Sequence, residues 1–335
     1  MLKRPYVLFV GNASDQLAAK TALGVLRWRR DWCIGQIRLP GCIAWLDLPE
    51  MTPEEAAAAG AGTLIVGVAN AGGVIPDSWC EILARALDAG LDLASGLHDR
   101  LRDIPRLSEL AASKGRGLYD VRHPTRGFGV GTGEPRSGKR LLAVGTDCSV
   151  GKMYTALALC EAMRRRGLDA DFRATGQTGI FIAGDGVCVD AVVADFISGA
   201  TEWLAPAADP HHWDVIEGQG SLFHPSFAGV SLGLLHGAQA DALVMCHEPT
   251  RTHMRGLAKR SLPDIATCIT VNEQAARLTN PDATCIGMAI NTSAMPAETV
   301  DGYLADLEDR FGLPCVDPLV HGVERLVDRL IEGVR

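Results

Sequence analysis

Short apolar runs alternate along the chain with longer stretches in which apolar residues recur at helical spacing. The apolar runs predict strands over 6–10, 33–38, 63–68, 91–94, 141–144, 170–174, 214–216, 243–246, 265–271 and 283–289. The periodic stretches predict helices over 16–29, 53–59, 79–89, 154–166, 190–198, 297–311 and 322–331. Because strands and helices alternate, the pattern predicts an α/β architecture with parallel sheets.

A stretch rich in glycine, proline and arginine over 121–139 interrupts this alternation. Such a composition supports neither a continuous helix nor a strand ladder, so it predicts a connection between domains. We therefore expect a Rossmann-like N-terminal domain over 1–120 and a second parallel-sheet domain over 140–335. The first strand is not followed by a G-x-G-x-x-G turn, so no dinucleotide site is predicted in the first domain.

The second domain begins with a strand, a glycine-bounded turn and a helix, which together are typical of a phosphate-binding loop. Gly145 and Gly151 bound the turn, and Lys152 follows at once. The turn's N–H groups converge on a phosphate, and the lysine adds a positive charge. The glycine spacing is longer than the standard one and resembles dethiobiotin synthetase and its relatives, so a P-loop NTPase-like fold of that class is predicted. The residues predicted to hold the phosphates are Gly145, Thr146, Cys148, Ser149, Val150, Gly151, Lys152, Met153 and Tyr154.

Met153 stands where a standard phosphate loop has a serine or threonine whose hydroxyl binds magnesium. A thioether is a poor ligand for a hard cation, so magnesium is not expected to be obligatory. Thr155 lies two residues further on and points elsewhere on the helix, so it is no obvious substitute. We expect the phosphates to be a handle, with the chemistry at a distant part of the bound molecule, as in coenzyme A.

Polar residues close several successive strands of the second domain, namely Asp147, Gln177, Glu217, His247, Asn272 and Asn291. Since the carboxyl ends of parallel strands share one edge of a sheet, we expect these side chains to line one cleft. Glu217, beside a lysine-lined anion site, is either a residual metal ligand or a general base. Arg173, with Thr178 in the turn that follows its strand, is expected to receive a carboxylate. The alternative is that these residues cap loops and pack the sheet end.

Composition narrows the function classes. The chain has 335 residues, of which 47% are hydrophobic and 21% are charged, so a folded soluble protein is expected. A net charge of −8 argues against a nucleic-acid partner. Ten cysteines without C-x-x-C pairs predict neither a metal site nor disulfides and favour a cytoplasmic location. The apolar run at 6–10 is too short for a signal peptide or membrane span, and a homo-oligomer is expected because paired α/β domains often associate.

Three segments, 145–153, 175–179 and 217–222, resemble the D-glutamate N-acetyltransferase-like (DgcN) family. The Gly-Lys-Met ending of the phosphate loop is a fairly specific mark, and the resemblance spans essentially the whole chain. This was long a family of unknown function, with a Rossmann-like N-terminal and a P-loop C-terminal domain. The resemblance implies an acyltransferase that moves the acetyl group of its co-substrate acetyl-CoA to the amino group of D-glutamate or a related D-amino acid, as a catabolic step.

That reaction implies roles for particular residues. The amine must lose a proton before it attacks the thioester, and Glu217, His247 and Asp147 are the candidate bases, with Glu217 preferred. The N–H groups of 218–221 are expected to stabilise the oxyanion. An acyl-enzyme on Cys148, whose pKa a helix N-terminus would lower, is a further possibility. The substrate-binding residues are expected to be Arg173, Gln177, Thr178 and Arg251.

Two other functions remain open from the residues alone. An ATP- and magnesium-dependent ligase or kinase of the dethiobiotin synthetase class would need Asp147 and Glu217 to hold the magnesium in place of the missing hydroxyl. A non-catalytic nucleotide-binding module fits the phosphate loop but leaves the row of polar strand ends unexplained.

Overall fold

A computed structural model describes residues 2–333 as two units, each built on its own parallel sheet. The first unit comprises Met1–Thr125 and Gln177–Ala191, and the second comprises Arg126–Gly176 and Val192–Arg335. The predicted α/β fold, with one parallel sheet in each half of the chain, is confirmed. Within the described residues, no helix is both long enough and apolar enough to cross a membrane.

The first sheet has the strand order β2-β1-β3-β4-β5. Its strands are β1 (Tyr6–Gly11), β2 (Cys33–Arg38), β3 (Thr63–Val66), β4 (Asp92–Ser95) and β5 (Leu118–Asp120). Its helices are α1 (Lys20–Trp28), α2 (Pro53–Ala58), α3 (Asp77–Asp88) and α4 (Pro105–Lys114). A core of leucine, valine and isoleucine from β1, β3, β4, α3 and α4, with Phe9 and Trp79, stabilises this unit by apolar burial.

The second sheet has the order β11-β10-β9-β6-β8-β7. The elements from residue 139 onward are β6 (Lys139–Gly145), α5 (Lys152–Arg165), β7 (Ala170–Arg173), α6 (Gln177–Ala183), α7 (Ile197–Leu204), β8 (Trp213–Ile216), α8 (Ala228–Ala238), β9 (Ala242–His247), α9 (Ile265–Ala276), β10 (Thr284–Ile290), α10 (Ala297–Phe311), β11 (Cys315–Val316) and α11 (Glu324–Gly333). The strand β6 lies between β8 and β9 and is parallel to both. The loop after β6 is therefore flanked by the ends of two neighbouring strands.

The predicted strand over 265–271 is wrong, because this segment is part of helix α9. The β-branched run suggested a strand, yet its buried positions Ile265, Cys268, Asn272 and Ala276 follow helical spacing. Asp264 caps the helix by accepting a hydrogen bond from the N–H of Thr267 (3.2 Å). Asn272 therefore does not close a strand, and its side chain bonds to the carbonyl of Cys268 within α9.

The predicted helix over 190–198 is also largely wrong. Short 3-10 turns occupy Val189–Ala191 and Ala194–Phe196, and the α-helix α7 begins only at Ile197. Helices α4, α6 and α8 were not predicted. No local pattern indicated that α6, which follows β7 in the chain, packs in the first unit.

Candidate functional site

The turn between β6 and α5 has the backbone of a phosphate loop. Gly151 lies at φ +103° and Ser149 at φ +55°, both in the left-handed region that turns the chain back toward the helix. Helix α5 begins at Lys152. Its N-terminus thus follows the turn directly, which is the arrangement that directs unpaired N–H groups toward an anion.

Lys152 is buried in this turn, and its Nζ donates a hydrogen bond to the carbonyl of Asp147 (2.8 Å). Burial lowers the pKa of the lysine, because the apolar surroundings disfavour the ammonium. An anion in the turn would supply the missing counter-charge. The role of Lys152 as the cation that binds a phosphate stays a prediction.

Arg251 clamps the same turn from the loop after β9. Its Nη1 donates to Asp147 Oδ2 (2.8 Å) and to the carbonyl of Cys148 (2.6 Å), and its Nη2 contacts the carbonyl of Ser149 (3.3 Å) and Glu248. Its donors are thus spread over the loop. In this arrangement the guanidinium shapes the phosphate loop, and its predicted contact with a substrate carboxylate would require these bonds to be exchanged.

Asp147 is fully buried beside this clamp. Its Oδ2 also accepts a hydrogen bond from the backbone N–H of Arg255 (2.7 Å). The side chain of Arg255 is exposed and makes no hydrogen bond within the described residues. Asp147 therefore joins the phosphate loop to the loop after β9, a structural task that fits poorly with a role as proton acceptor.

Glu217 follows β8 directly and is 4% exposed. The backbone N–H groups of Thr175 (3.0 Å) and Gly176 (3.1 Å) donate to its Oε2, which orients the carboxyl group. Burial raises its pKa to about 7, although those two hydrogen bonds and the charge of Lys152 act in the opposite direction. A carboxyl with this pKa exchanges protons readily near neutral pH, which suits a general base.

The turn after Glu217 lies very close to the phosphate-loop strand. A Cβ on Gly218 would lie 1.6 Å from the carbonyl oxygen of Ala143 and 3.0 Å from Lys152 Cδ, so only glycine fits there. Ser221 donates a hydrogen bond from Oγ to the carbonyl of Thr146 (3.1 Å). The segment 217–221 is thereby fixed against the phosphate loop.

His247 ends β9 on the other side of β6, and its Nδ1 lies 3.0 Å from Thr146 Oγ1. Burial lowers the pKa of the imidazole to about 4, and nearby Arg251 acts in the same direction. The ring is neutral at physiological pH and holds a proton too weakly to be an effective base there. Its contact with Thr146 Oγ1 orients the Thr146 side chain within the phosphate loop.

Cys148 does not have the environment of an activated nucleophile. Burial raises the pKa of its thiol, and this outweighs the attraction of Lys152 for a thiolate. The expected lowering by the helix N-terminus is therefore wrong. The acyl-enzyme route through Cys148 loses its physical basis, since the thiolate is the nucleophile.

Three further residues that were predicted to hold the phosphates are buried or half-buried at or just before the start of α5. Val150 is buried, and Met153 and Tyr154 are half-buried in the first turn of α5. Thr155 is buried and lies 3.4 Å from Cys246 Sγ on β9, so it does not replace the missing hydroxyl. The residues present do not fit the usual magnesium site of a phosphate loop.

Arg173 is engaged in ion pairs on the sheet. Its Nε donates to Asp214 on β8, and its Nη2 lies 3.7 Å from Asp171. The guanidinium of Arg173 is thus paired with two acids of the protein, whereas the sequence predicted that it would pair with a carboxylate of the substrate.

Gln177 and Thr178 start α6 and make their hydrogen bonds within the first unit. The Gln177 amide, oriented with its nitrogen toward Gly96, donates to that carbonyl (2.8 Å) and accepts from Arg122 (3.1 Å). Thr178 Oγ1 lies 3.4 Å from Thr21 Oγ1. The structure thus groups Asp147, Lys152, Glu217, His247 and Arg251 around the phosphate loop, and it places Gln177 and Thr178 in the other unit.

Sequence reasoning missed several contributors to this site. Thr175 and Gly176 lie in the turn after the strand of Arg173, but no sequence pattern marks their N–H groups as donors to Glu217. Gln219 donates to Thr175 Oγ1 (3.1 Å) and so supports the same turn. Arg255 and Glu248 lie in a charged loop without a recognisable motif, and only the fold brings them to the phosphate loop.

Comparisons with known proteins agree with this architecture. Residues 128–327 match the family described as "Domain of unknown function (DUF1611_C) P-loop domain", and residues 39–124 match the companion DUF1611_N Rossmann-like domain. Two similar proteins are named D-glutamate N-acetyltransferase, one from Tritonibacter scottomollicae (55% identical) and one from a Pseudoalteromonas species (51% identical). Each alignment covers 98% of this chain and 99% of the relative.

A solved structure also matches over the whole length. The crystal structure of a DUF1611 family protein from Anabaena variabilis is 31% identical, with a TM-score of 0.88, and the match covers 99% of this chain and 100% of that one. The two relatives and the solved structure therefore match nearly the whole chain, and the family models match residues 39–124 and 128–327. This chain belongs to the DUF1611 family, and it carries both the Rossmann-like and the P-loop domain of that family.

Proposed function

We propose that this chain is a D-glutamate N-acetyltransferase that uses acetyl-CoA. The observation that carries the proposal is the name shared by two relatives that are more than half identical over nearly the whole chain. That identity and coverage support one common fold for this chain and the two relatives. The acetyl donor and the roles of individual residues are inferred from the chemistry of the site.

In this proposal the phosphate loop holds the diphosphate of acetyl-CoA. The loop supplies N–H groups at the start of α5 and the buried ammonium of Lys152, which are the donors that a diphosphate needs. Met153 removes the magnesium ligand on which phosphoryl transfer relies, whereas acetyl transfer leaves the phosphates unchanged. A loop that binds phosphates but lacks the hydroxyl ligand for magnesium is therefore better suited to anchoring a cofactor by its phosphates than to transferring a phosphoryl group.

Glu217 is the general base of the proposed reaction. Its carboxylate accepts a proton from the α-ammonium group of D-glutamate, directly or through one water, and the freed nitrogen lone pair attacks the thioester carbonyl. A C–N bond forms and the C–S bond breaks. The thiolate of coenzyme A leaves and takes up a proton to become the free thiol. The N–H groups of 218–221 are the candidate donors to the oxyanion, because that turn is fixed beside the phosphate loop.

Arg255 is a second cation, besides Lys152, that we assign to the bound anions. The described structure pairs Arg173 with acids and Arg251 with the phosphate loop. The guanidinium of Arg255 is exposed, and its backbone is held at the loop by Asp147. It is therefore placed to reach a phosphate or a substrate carboxylate without breaking an existing ion pair.

The reaction itself is the direct test. Purified protein is mixed with acetyl-CoA and D-glutamate, the free thiol is followed with a thiol reagent, and N-acetylglutamate is identified by mass spectrometry. We expect thiol release that depends on both substrates, with the L-enantiomer as the matched control for selectivity. If acetyl-CoA is not consumed with any D-amino acid tested, while ATP and magnesium are hydrolysed or drive a ligation, the transferase proposal is wrong and the ligase class gains support.

A further inference from the structure

Three potential metal ligands lie together at the phosphate loop. Asp147 and Cys148 follow β6, and His224 belongs to the loop after β8. One ligand atom from each residue lies within 4.8 Å of the other two. Asp147 and His224 are buried and Cys148 is half-buried, so the group is shielded from bulk water.

The carboxylate of Asp147 is only half satisfied. Its Oδ2 accepts from Arg251 and from the N–H of Arg255, but its Oδ1 is buried without a hydrogen-bond partner among the described residues. A buried carboxylate oxygen without a donor or a cation is costly. The orphaned oxygen thus indicates that something absent from the protein atoms completes this site.

The chemistry of the three residues selects a class of ion. Thiolate, imidazole and carboxylate together form a typical zinc ligand set, whereas magnesium takes oxygen ligands and Met153 removes the usual hydroxyl. Three protein ligands leave a further coordination position for water or an anion. The phosphate loop has therefore lost a ligand for a hard cation and offers a set suited to a softer one.

The surroundings of His224 are compatible with this role. Its Nε2 contacts the carbonyl of Arg255 (3.0 Å), and the N–H of Ser226 contacts its Nδ1 (3.2 Å). Because Nε2 must carry the proton that it donates to this carbonyl, an ion would bind Nδ1 in place of the Ser226 N–H, and the bond from Nε2 would orient the ring, as second-shell partners do for metal-bound histidines. Ligand atoms around tetrahedral zinc lie about 3.3–3.7 Å apart by its bond lengths, so the cluster must contract by roughly 1 Å.

We propose that Asp147, Cys148 and His224 bind one divalent ion of the zinc class at the phosphate loop. Binding would supply the cation that Asp147 Oδ1 lacks and would tie the loop after β8 to the phosphate loop. The cluster escaped the sequence analysis because zinc motifs are recognised by short spacings, while His224 is distant in sequence from the other two. The proposal does not depend on the acetyltransferase reaction.

Cobalt substitution tests the site without any substrate. The full chain is stripped with a chelator and titrated with Co²⁺, and the absorption spectrum is recorded. We expect one equivalent to produce a sulfur-to-cobalt charge-transfer band with intense d–d bands of tetrahedral geometry, and Zn²⁺ but not excess Mg²⁺ to abolish them. Cys148→Ser should remove the charge-transfer band, and His224→Gln should weaken cobalt binding about tenfold or more.

Cys80→Ser is the matched control, since Cys80 is also half-buried but lies on α3. It should leave the cobalt spectrum unchanged, and circular dichroism should show that all three variants are folded. If the parent protein gives no thiolate band, a buried water satisfies Asp147 and the proposal is wrong. A charge-transfer band that persists in Cys148→Ser would also overturn the proposal. Acetyl transfer in the absence of bound metal would leave the proposed function intact, so the two proposals fail separately.

Discussion

At the scale of single residues, the site depends on opposing influences on one carboxyl group. Burial pushes the pKa of Glu217 up to about 7, while two backbone N–H groups and Lys152 favour its ionised form. His247 has the opposite outcome, because burial leaves it neutral with a pKa of about 4. The two residues flank the same strand, and a carboxyl with a pKa near neutrality suits the proposed role of general base better than this imidazole does.

Replacement of Glu217 by glutamine should lower kcat by about 10²–10⁴-fold, the usual contribution of a general base. In the parent protein we expect kcat/KM to fall below pH 7 as the carboxylate becomes protonated, and this limb should vanish in the variant. The substrate amine should give its own pH limb in both proteins. Glu273→Gln, at a half-buried glutamate on α9, is the control and should retain the parent profile.

The same substitution should change stability in a defined direction. Because the folded pKa lies above the ordinary value of 4.5, the carboxyl's contribution is fully present below pH 4.5 and is lost as the pH rises through about 7. By the usual conversion, this cost of ionisation is about 3 kcal/mol. Urea unfolding at several pH values should show Glu217→Gln gaining stability relative to the parent protein between pH 4.5 and 7. A constant difference would contradict the assigned pKa.

Arg255→Ala should raise KM for acetyl-CoA by about tenfold, which corresponds to about 1.4 kcal/mol. The reason is that its exposed guanidinium lies in the loop after β9 and makes no ion pair within the described residues, so its removal should leave the fold unchanged. Arg260→Ala removes another exposed arginine of the same loop and is the control. Equal KM values for both variants would place the anion-binding role elsewhere.

At the scale of elements, the order of the second sheet explains why distant residues meet. Because β6 lies between β8 and β9, the segments that follow these three strands end at one edge of the sheet. Lys152, Glu217 and His247 are therefore neighbours, although they are far apart in sequence. Helix α9 shows that local composition can mislead. Its β-branched run suggested a strand, but the segment is helical because its cap and its buried face favour a helix.

The cap of α9 can be tested directly. Asp264→Ala should destabilise the protein by about 1 kcal/mol, because the N–H of Thr267 loses its acceptor. Asp264→Asn keeps a capping oxygen but removes the charge that faces Arg310, and this surface ion pair contributes little. Thermal unfolding should therefore rank the parent and Asp264→Asn together, above Asp264→Ala. The reverse order would mean that the ion pair outweighs the cap.

At the scale of the whole molecule, an acidic chain must hold an anionic ligand through local groups. With a net charge of −8, long-range attraction does not favour coenzyme A, so the loop N–H groups and buried cations must do so. The second unit contains all the residues to which we assign these tasks.

Ligand-induced stabilisation tests this assignment on the intact protein. A ligand at about 100 times its Kd adds about 2.7 kcal/mol, so acetyl-CoA and CoA should raise Tm by several degrees without magnesium. ATP with magnesium should have a smaller effect on the parent protein than on Met153→Thr, which restores the hydroxyl ligand. We expect Met153→Thr to retain acetyl transfer. Stabilisation of the parent protein only by ATP with magnesium would contradict the role of the phosphate loop as a handle.

The sequence by itself determined the α/β class and the phosphate-loop pattern, and it made Glu217 a candidate general base. These features depend on local patterns: apolar runs, glycines beside a lysine, and an acid after a buried strand. The short helix α2 was predicted on the same local basis, and its capping box joins Thr52 and Glu55, which are three residues apart.

The tertiary structure alone decided the tasks of the individual side chains. Local sequence did not indicate that Arg251 clamps the phosphate loop, that Arg173 pairs with Asp214, that α6 packs in the first unit, or that His224 approaches Cys148. Each of these results depends on contacts between segments that only the fold brings together. Burial, which sets the pKa of Glu217, His247 and Cys148, is likewise a property of the packed chain, because desolvation depends on every neighbour of a group.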